Sequence, residues 1–529
     1  MLTAATDELR IGPDRSLAID LNWIASEAFS WPIDPLTGPR LRYRLFESIL
    51  RDVAAEPTTN LANLARRLLF TKKALAIDIA SRLLIRQLRS RITTDHAGIV
   101  ADHASGVFPT QLDRQQRELF IDRSDRSSRY KRWLAFHGQA LLLRQLDAVG
   151  IPRPLLRLNQ QPLPNDLLSS WSHRVRNPYS FLGRRGHQRP PSDVEAAILT
   201  EANRFSHIVD QVAQQVGAEA ALTVGEQQQI VDYLVPQLTS AWQDYQTIHH
   251  LLRKRAIDCF LGSLGGYFAA LLAFVAKENG GHVYSSIHAN FDFRFSNGVD
   301  MMETIGVDRF YCLTDAAAER AQRLAHRFWQ QQWGKPPLTA AICSIQPHRW
   351  SPPLLTSQRP RQEPIRQVMV MGLIANPRNM QGPLALPVQL HWEWRLCRLL
   401  VASGYTVIYK AHPENSWLGH GQLLGPTVHI ERRPFEQVWH QADAFVVLQA
   451  QSTTVQSIIL RSDRPVCFLW HREIDPCDPL VVAEIEARCH IIPVWIDPQQ
   501  RLAFDPPTLL AALQQPKPVS QELRQILSQ

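Results

Sequence analysis

Two short constellations in the last third of the chain carry residue types that could do chemistry. The first is Tyr409-Lys410-Ala411-His412-Pro413-Glu414, which follows the apolar run Thr406 to Lys410. A proline directly after His412 restricts that residue to extended backbone, so an imidazole is held at the end of a strand. The second is Gln451-Ser452-Thr453-Thr454, between the apolar run Ala444 to Leu448 and the helical pattern Val455 to Leu460. Hydroxyls and free backbone N–H groups at a helix N-terminus make an anion site suited to a phosphate. Each constellation alone reads equally well as a loop histidine or as ordinary helix caps. Together, about forty residues apart in one α/β pattern, they point to a phosphate-bearing nucleotide ligand.

The elements that must position them repeat strand, helix, strand. Val368 to Ile374, Thr406 to Lys410, Thr427 to Glu431, Ala444 to Leu448 and Pro465 to Trp470 read as strands. His391 to Ser403, stopped by Gly404, and Phe435 to Ala442 read as helices between them. Upstream the same texture begins at residue 253. Ala256 to Leu261, His282 to Ile287 and Arg309 to Leu313 read as strands, with helices at Tyr267 to Lys277 and Ala316 to Trp329. Such units build parallel sheets with ligand sites at the carboxyl ends of the strands.

Four regions are expected: 1–192, mostly helical and basic, which would complete the sheet of the region after it; 193–350, a Rossmann-like half; 364–515, a second Rossmann-like half; and 516–529, a C-terminal helix. Residues 346 to 366 are proline-rich and mark the boundary between the halves. Residues 148 to 192 read as a long surface excursion, and Leu17 to Trp23 as one early strand.

Charge is uneven. Residues 51 to 190 hold 24 Lys/Arg against 11 Asp/Glu, while the whole chain of 529 residues carries +8, so the remainder sums to −5. A basic half on a slightly acidic body fits an anionic partner. Between Leu61 and Ile92, apolar residues recur at helical spacing, with Arg66, Arg67, Lys72, Lys73, Arg82, Arg86 and Arg89 largely between them. That pattern reads either as a helix lying on an anionic leaflet or as a core-facing helix with a solvated basic side. Nucleic-acid binding is disfavoured, because no stacking motif or known module accompanies the charge.

The exclusions are short. No apolar run approaches the roughly 20 residues that span a bilayer, and the acidic start MLTAATDELR does not read as a signal peptide. Seven scattered cysteines without Cys-x-x-Cys argue against a disulfide framework or zinc ribbon and fit a reducing cytoplasm. No Asp-x-Asp occurs, so metal dependence is not implied, and no cofactor is expected beyond the donor substrate.

The His412-Pro413 dipeptide ending one strand, followed by the Ser452-Thr453 pair opening a later helix, resembles the "HP" and "SS/ST" motifs of bacterial capsule and teichoic-acid transferases. These include polysialyltransferases, capsule Kdo transferases and CDP-glycerol glycerophosphotransferases. The resemblance covers roughly residues 250 to 515 and is best over 365 to 475. It implies an α/β, GT-B-like fold of two Rossmann-like domains facing a cleft, with the largely helical N-terminal region added. It further implies a metal-independent glycosyltransferase moving a sugar or polyol phosphate from a nucleotide-activated donor, CMP- or CDP-linked, to a surface polysaccharide or lipid-linked glycan.

On that resemblance His412, with Pro413, would contact the donor phosphate or nucleotide, and Ser452, Thr453 and Thr454 would hold its phosphate. The family often ends an N-terminal-domain strand with His-Gly, the histidine being a candidate base; here the matching residues are His288-Ala289, and Asp292 is the fallback. An ordinary carboxylate is a weak base at neutral pH, whereas an imidazole needs little tuning. Lys410 and Arg378 could supply positive charge for the departing phosphate, or stand as solvated surface residues. The resemblance places such an enzyme in the cytoplasm, peripheral to the inner membrane face. Two other readings share the architecture: a non-catalytic scaffold or glycan-binding protein, and a nucleotide-sugar epimerase.

Overall fold

The computed structural model describes residues 8–11, 17–54, 61–72, 74–93, 96, 98–101, 155–158, 167, 172–174, 189–217, 221–252, 256–261, 266–286, 306–312, 315–333, 341–344, 364–375, 377, 384–413, 415, 417, 419–448, 459–460, 462–474 and 477–519. Three sheets form among them. β1 (Glu8–Ile11), β2 (Leu17–Asp20) and β3 (Ile99–Ala101) make a small antiparallel sheet. β4 (Leu155–Arg157), β5 (Ser172–Arg174), β6 (Asp258–Leu261), β7 (Val283–Ser286), β8 (Arg309–Cys312) and β9 (Ala341–Ser344) form an all-parallel sheet in the order β5-β4-β6-β7-β8-β9.

The second large sheet contains β10 (Gln367–Met371), β11 (Thr406–Lys410), β12 (Val428–Glu431), β13 (Ala444–Val447), β14 (Val466–Trp470), β15 (His490–Ile496) and β16 (Leu502–Phe504). Its order is β12-β11-β10-β13-β14-β15-β16, parallel except for the β15–β16 pair. Buried on both faces, these strands read as continuous apolar runs such as Ala444-Phe445-Val446-Val447. The alternation along β10 divides the core: Val368 and Val370 join one apolar cluster, Met369 and Met371 the other. The molecule is therefore mixed α/β with two parallel sheets.

Several expectations are corrected. The excursion at 148–192 contributes β4 and β5, because Leu155 and Leu156 bury their side chains in the sheet next to β6. The early strand stops at Asp20, whose carboxylate caps the short helix Leu21–Ile24 by accepting the Asn22 N–H at 2.8 Å. The strand expected over 368–374 ends at Met371: Gly372 still donates to Lys410 of β11, but the Leu373 and Ala375 N–H groups go to side chains. Residues 516–519 are not helical, as Pro516 and Pro518 lack the N–H a helix needs; the rest of that expected helix lies outside the described residues.

The basic run at 61–92 folds as two helices, Leu61–Thr71 and Ala74–Arg91. Its arginines face carboxylates of the protein itself: Arg66 with Glu201, Arg67 with Glu278, Arg82 with Asp78 and Arg86 with Glu226. The core-facing reading of this segment is the one the packing supports. No helix among the described residues is long and apolar enough to cross a membrane.

The N-terminal segment crosses from one half to the other. Residues Leu17 to Leu36 pack in the same cluster as Val388, Trp392 and Leu396 of the helix Leu386–Ala402. Of the helices that follow, Thr37–Ala54 and Leu61–Thr71 pack instead around β6 and the helix Tyr267–Glu278, while Ala74–Arg91 contributes to both clusters. Within the first contact His391, fully buried, donates its Nδ1 proton to the Ile24 carbonyl at 2.7 Å and stacks on Phe29.

Candidate functional site

β10 lies at the point where the strand order of its sheet reverses. β11 and β12 extend to one side of it, β13, β14 and β15 to the other, in the doubly wound order. All six are parallel, so their carboxyl ends share one edge. In open α/β sheets of this order, ligands bind outside the carboxyl ends of the strands at such a switch point. The loop after β10 is Gly372-Leu373-Ile374-Ala375; the chain after β13 and Leu448 leads into 449–458, outside the described residues.

The β10 loop is tied at every residue. Gly372 donates its N–H to the Lys410 carbonyl at 3.0 Å. The Leu373 N–H donates to the Glu393 carboxylate at 3.0 Å, and the Ile374 carbonyl accepts from Gln389 Nε2 at 3.4 Å. Ala375 donates its N–H to Asn415 Oδ1 at 2.6 Å. Glycine at 372 is required by space: a Cβ there would lie 2.3 Å from the Tyr409 hydroxyl oxygen.

Glu393 is fully buried in the helix Leu386–Ala402 and also accepts from the Tyr409 O–H at 2.8 Å and Gln389 Nε2 at 3.3 Å. Burial raises its pKa to about 7, against the three hydrogen bonds, which favour the carboxylate. The same burial holds the Tyr409 phenol well above its ordinary range.

His412 is half-buried in the turn that follows β11, and its carbonyl accepts the Asn415 N–H at 3.1 Å. One turn thus carries the candidate ligand-contacting histidine and the asparagine that holds the β10 loop. Behind it His420, fully buried, packs against the rings of Tyr409 and Trp417 at 5.1 and 4.7 Å. Burial lowers its pKa to about 4, so the ring is neutral. His420 Nε2, Asn415 Nδ2 and Gln389 Oε1 are all buried without a hydrogen-bond partner. Each such atom costs about 1–3 kcal/mol, a concentration of polar strain behind this one edge.

Lys410 departs from the solvated alternative. It is buried, its Nζ donates to the Ala411 carbonyl at 2.7 Å, and desolvation lowers its pKa against the pull of Glu431 and Glu436. Lys410 sits opposite Glu431 in the β11–β12 register. Glu431 in turn holds Arg433, whose hydrogen bonds depress the carboxyl to about 2. Lys410 therefore balances internal carboxylates.

Of the expected site residues, Lys410, His412 and Pro413 stand at this edge; Arg378, Ser452, Thr453, Thr454, His288 and Asp292 lie outside the described residues. Sequence reasoning missed Glu393, Gln389, Asn415 and His420. Glu393 had a signal, a lone carboxylate among Trp392, Trp394, Leu396 and Cys397; Asn415 had only its place two residues after Pro413.

What the arrangement can do follows from its parts. Fixed backbone at a switch point, with an imidazole on the adjoining turn, can bind and orient a polar ligand at the sheet edge. No protein-family model matches the chain, and no curated protein matches it. Two solved structures are similar to it: a doubly and a singly substituted variant of Os79 from O. sativa, each in complex with UDP. Both share 10% identity with this chain and cover 74% of it; the matches span 88% and 91% of their own chains, with TM-scores of 0.30 and 0.31. At that distance the likeness assigns this chain no chemistry, and its function must be sought in its own residues.

Proposed function

We propose that the protein is a GT-B-type glycosyltransferase or related transferase that binds a nucleotide-activated donor at the carboxyl edge of the β10–β15 sheet. The observation that carries this reading is that the switch point at β10 lies beside the His412 turn, one of the two motifs named from sequence. The His412 turn adjoins the β10 loop, and Ser452-Thr453-Thr454 belongs to the segment that leaves β13. A CMP- or CDP-linked donor is favoured by the motif resemblance, with a surface polysaccharide or lipid-linked glycan as acceptor at the inner membrane face.

In this reading His288 or Asp292 takes the proton from an acceptor hydroxyl. The freed oxygen forms its bond to the activated carbon or phosphorus of the donor, and the nucleotide phosphate leaves with the electron pair. His412 and the hydroxyls of 452–454 hold that leaving phosphate.

The test is a thermal-shift panel of CMP, CDP, UDP, GDP and ADP on the wild type and His412→Ala. A ligand that binds the folded state raises apparent stability by about 2.7 kcal/mol at a hundredfold excess over its Kd. A shift with a cytidine nucleotide, lost in the variant, is expected. No shift with any nucleotide overturns the reading in favour of a scaffold.

A further inference from the structure

We propose that Glu393 is a positioning residue of the donor site: its buried side chain sets the backbone of the 372–375 loop against the His412 turn. The inference rests on the donor-site reading above and extends it to a residue that touches no ligand.

The geometry is specific. The loop closest to the switch point, Gly-Leu-Ile-Ala, anchors Leu373 and Ala375 in the apolar core but has no polar side chain of its own, so its backbone polar groups depend on what grips them. Glu393 grips the Leu373 N–H, and through the Tyr409 hydroxyl it is joined to β11, the strand that delivers His412. Asn415 completes the link from the other end by accepting the Ala375 N–H. These two bonds to the loop act beside the Gly372–Lys410 backbone bond and the Gln389 bond to the Ile374 carbonyl.

A carboxylate is a stronger acceptor than a carboxylic acid, but burial opposes ionisation of Glu393 more than its three hydrogen bonds favour it, so the arrangement that encloses the side chain is held most firmly with the acid. With its pKa near 7, Glu393 exchanges these two forms around neutral pH. Gln389, one turn earlier on the same helix, donates its Nε2 both to Glu393 and to the Ile374 carbonyl, so it belongs to the same set of bonds. The titratable groups facing Glu393 are Tyr409 from β11 and Cys397 from its own helix, both held neutral by burial. His420, neutral across this range, packs against the Tyr409 ring. Glu393 is the member of this group that changes charge between pH 6 and 8.

The experiment measures CDP binding by calorimetry to wild type and Glu393→Gln at pH 6, 7 and 8. Glutamine keeps the volume and mimics the uncharged acid. The ratio of the two affinities cancels the ionisation of CDP itself. The wild-type-to-variant affinity ratio is expected within about twofold of unity at pH 6, shifting to about fivefold in favour of Glu393→Gln at pH 8, where the buried carboxylate of wild type loosens the loop. In Tyr409→Phe, which removes a bond to the carboxylate, that shift is expected at higher pH. A ratio that stays constant across the range makes Glu393 merely structural and overturns the inference while leaving the donor site standing. Absence of CDP binding to wild type at every pH overturns the cytidine donor site and the inference with it.

Discussion

Arg320 and Glu484 join the two halves through a buried bidentate ion pair. The Arg320 guanidinium, wholly inaccessible in the helix Asp315–Trp333, donates from Nε to both Glu484 oxygens at 2.7 and 2.9 Å. Glu484 belongs to the helix Pro479–Arg488 beside β15. Removing Glu484 takes the paired carboxylate from a guanidinium that water does not reach. Glu484→Ala is expected to destabilise the protein by about 3–5 kcal/mol, read by denaturant unfolding. An effect below 1 kcal/mol would mean that solvent reaches the guanidinium once the carboxylate is gone.

Gly372→Ala tests the packing of the β10 loop. The added methyl meets the Tyr409 hydroxyl and its ring carbon at 2.3 and 2.4 Å, and Tyr409 is fully buried, so neither side can yield without disturbing the Glu393 bonds. The expected loss is about 1–3 kcal/mol in unfolding free energy, with weakened nucleotide binding in the thermal-shift panel. Unchanged stability together with unchanged binding would show that the loop has slack.

Glu393 has a cost in stability whose sign is fixed by burial. Its folded-state pKa near 7 exceeds the ordinary value of 4.5, so the folded chain holds the proton more tightly than the unfolded one. Stability attributable to this group is therefore full at low pH and is lost as pH rises from 4.5 through 7. Glu393→Gln escapes that loss, and its stability relative to wild type should improve by about 2 kcal/mol between pH 5 and pH 8. Chemical unfolding at the two pH values checks the direction.

His391 behaves in the opposite sense. Burial lowers its pKa to about 4 from 6.5, so its contribution is complete above pH 6.5 and disappears as pH falls towards 4. His391→Gln, which can still donate to the Ile24 carbonyl, removes the titration. Whatever the variant costs at pH 7, the gap to wild type should shrink by about 2 kcal/mol at pH 4.5. A gap that does not change with pH would mean that the imidazole stays neutral by other means.

The second sheet was the most legible part of the chain. β10, β11, β13 and β14 are buried on both faces, so each announces itself as a short apolar run between turn residues. The small sheet was not, because β1 and β3 are brief and pair across about eighty residues of chain through β2, a partnership no local pattern encodes. β4 and β5 hid for a related reason: three residues each, set among prolines and arginines. At the site, His412 could be named because proline fixes its backbone. Glu393 could not, since its meaning lies in the Leu373 N–H and the Tyr409 hydroxyl, which only folding brings to it.

The crossing of the N-terminal segment has a consequence for the newborn chain. Ile24 meets His391 across 367 positions, and a ribosome adds roughly 5–20 residues each second. Leu21, Ile24, Phe29 and Trp31 therefore emerge about 20–70 s before the helix that will bury them. During that interval an apolar stretch waits in solution while the first sheet assembles beside it. These residues are made long before their partners and find their place late, and this protein should be a client of the chaperones that shield nascent chains.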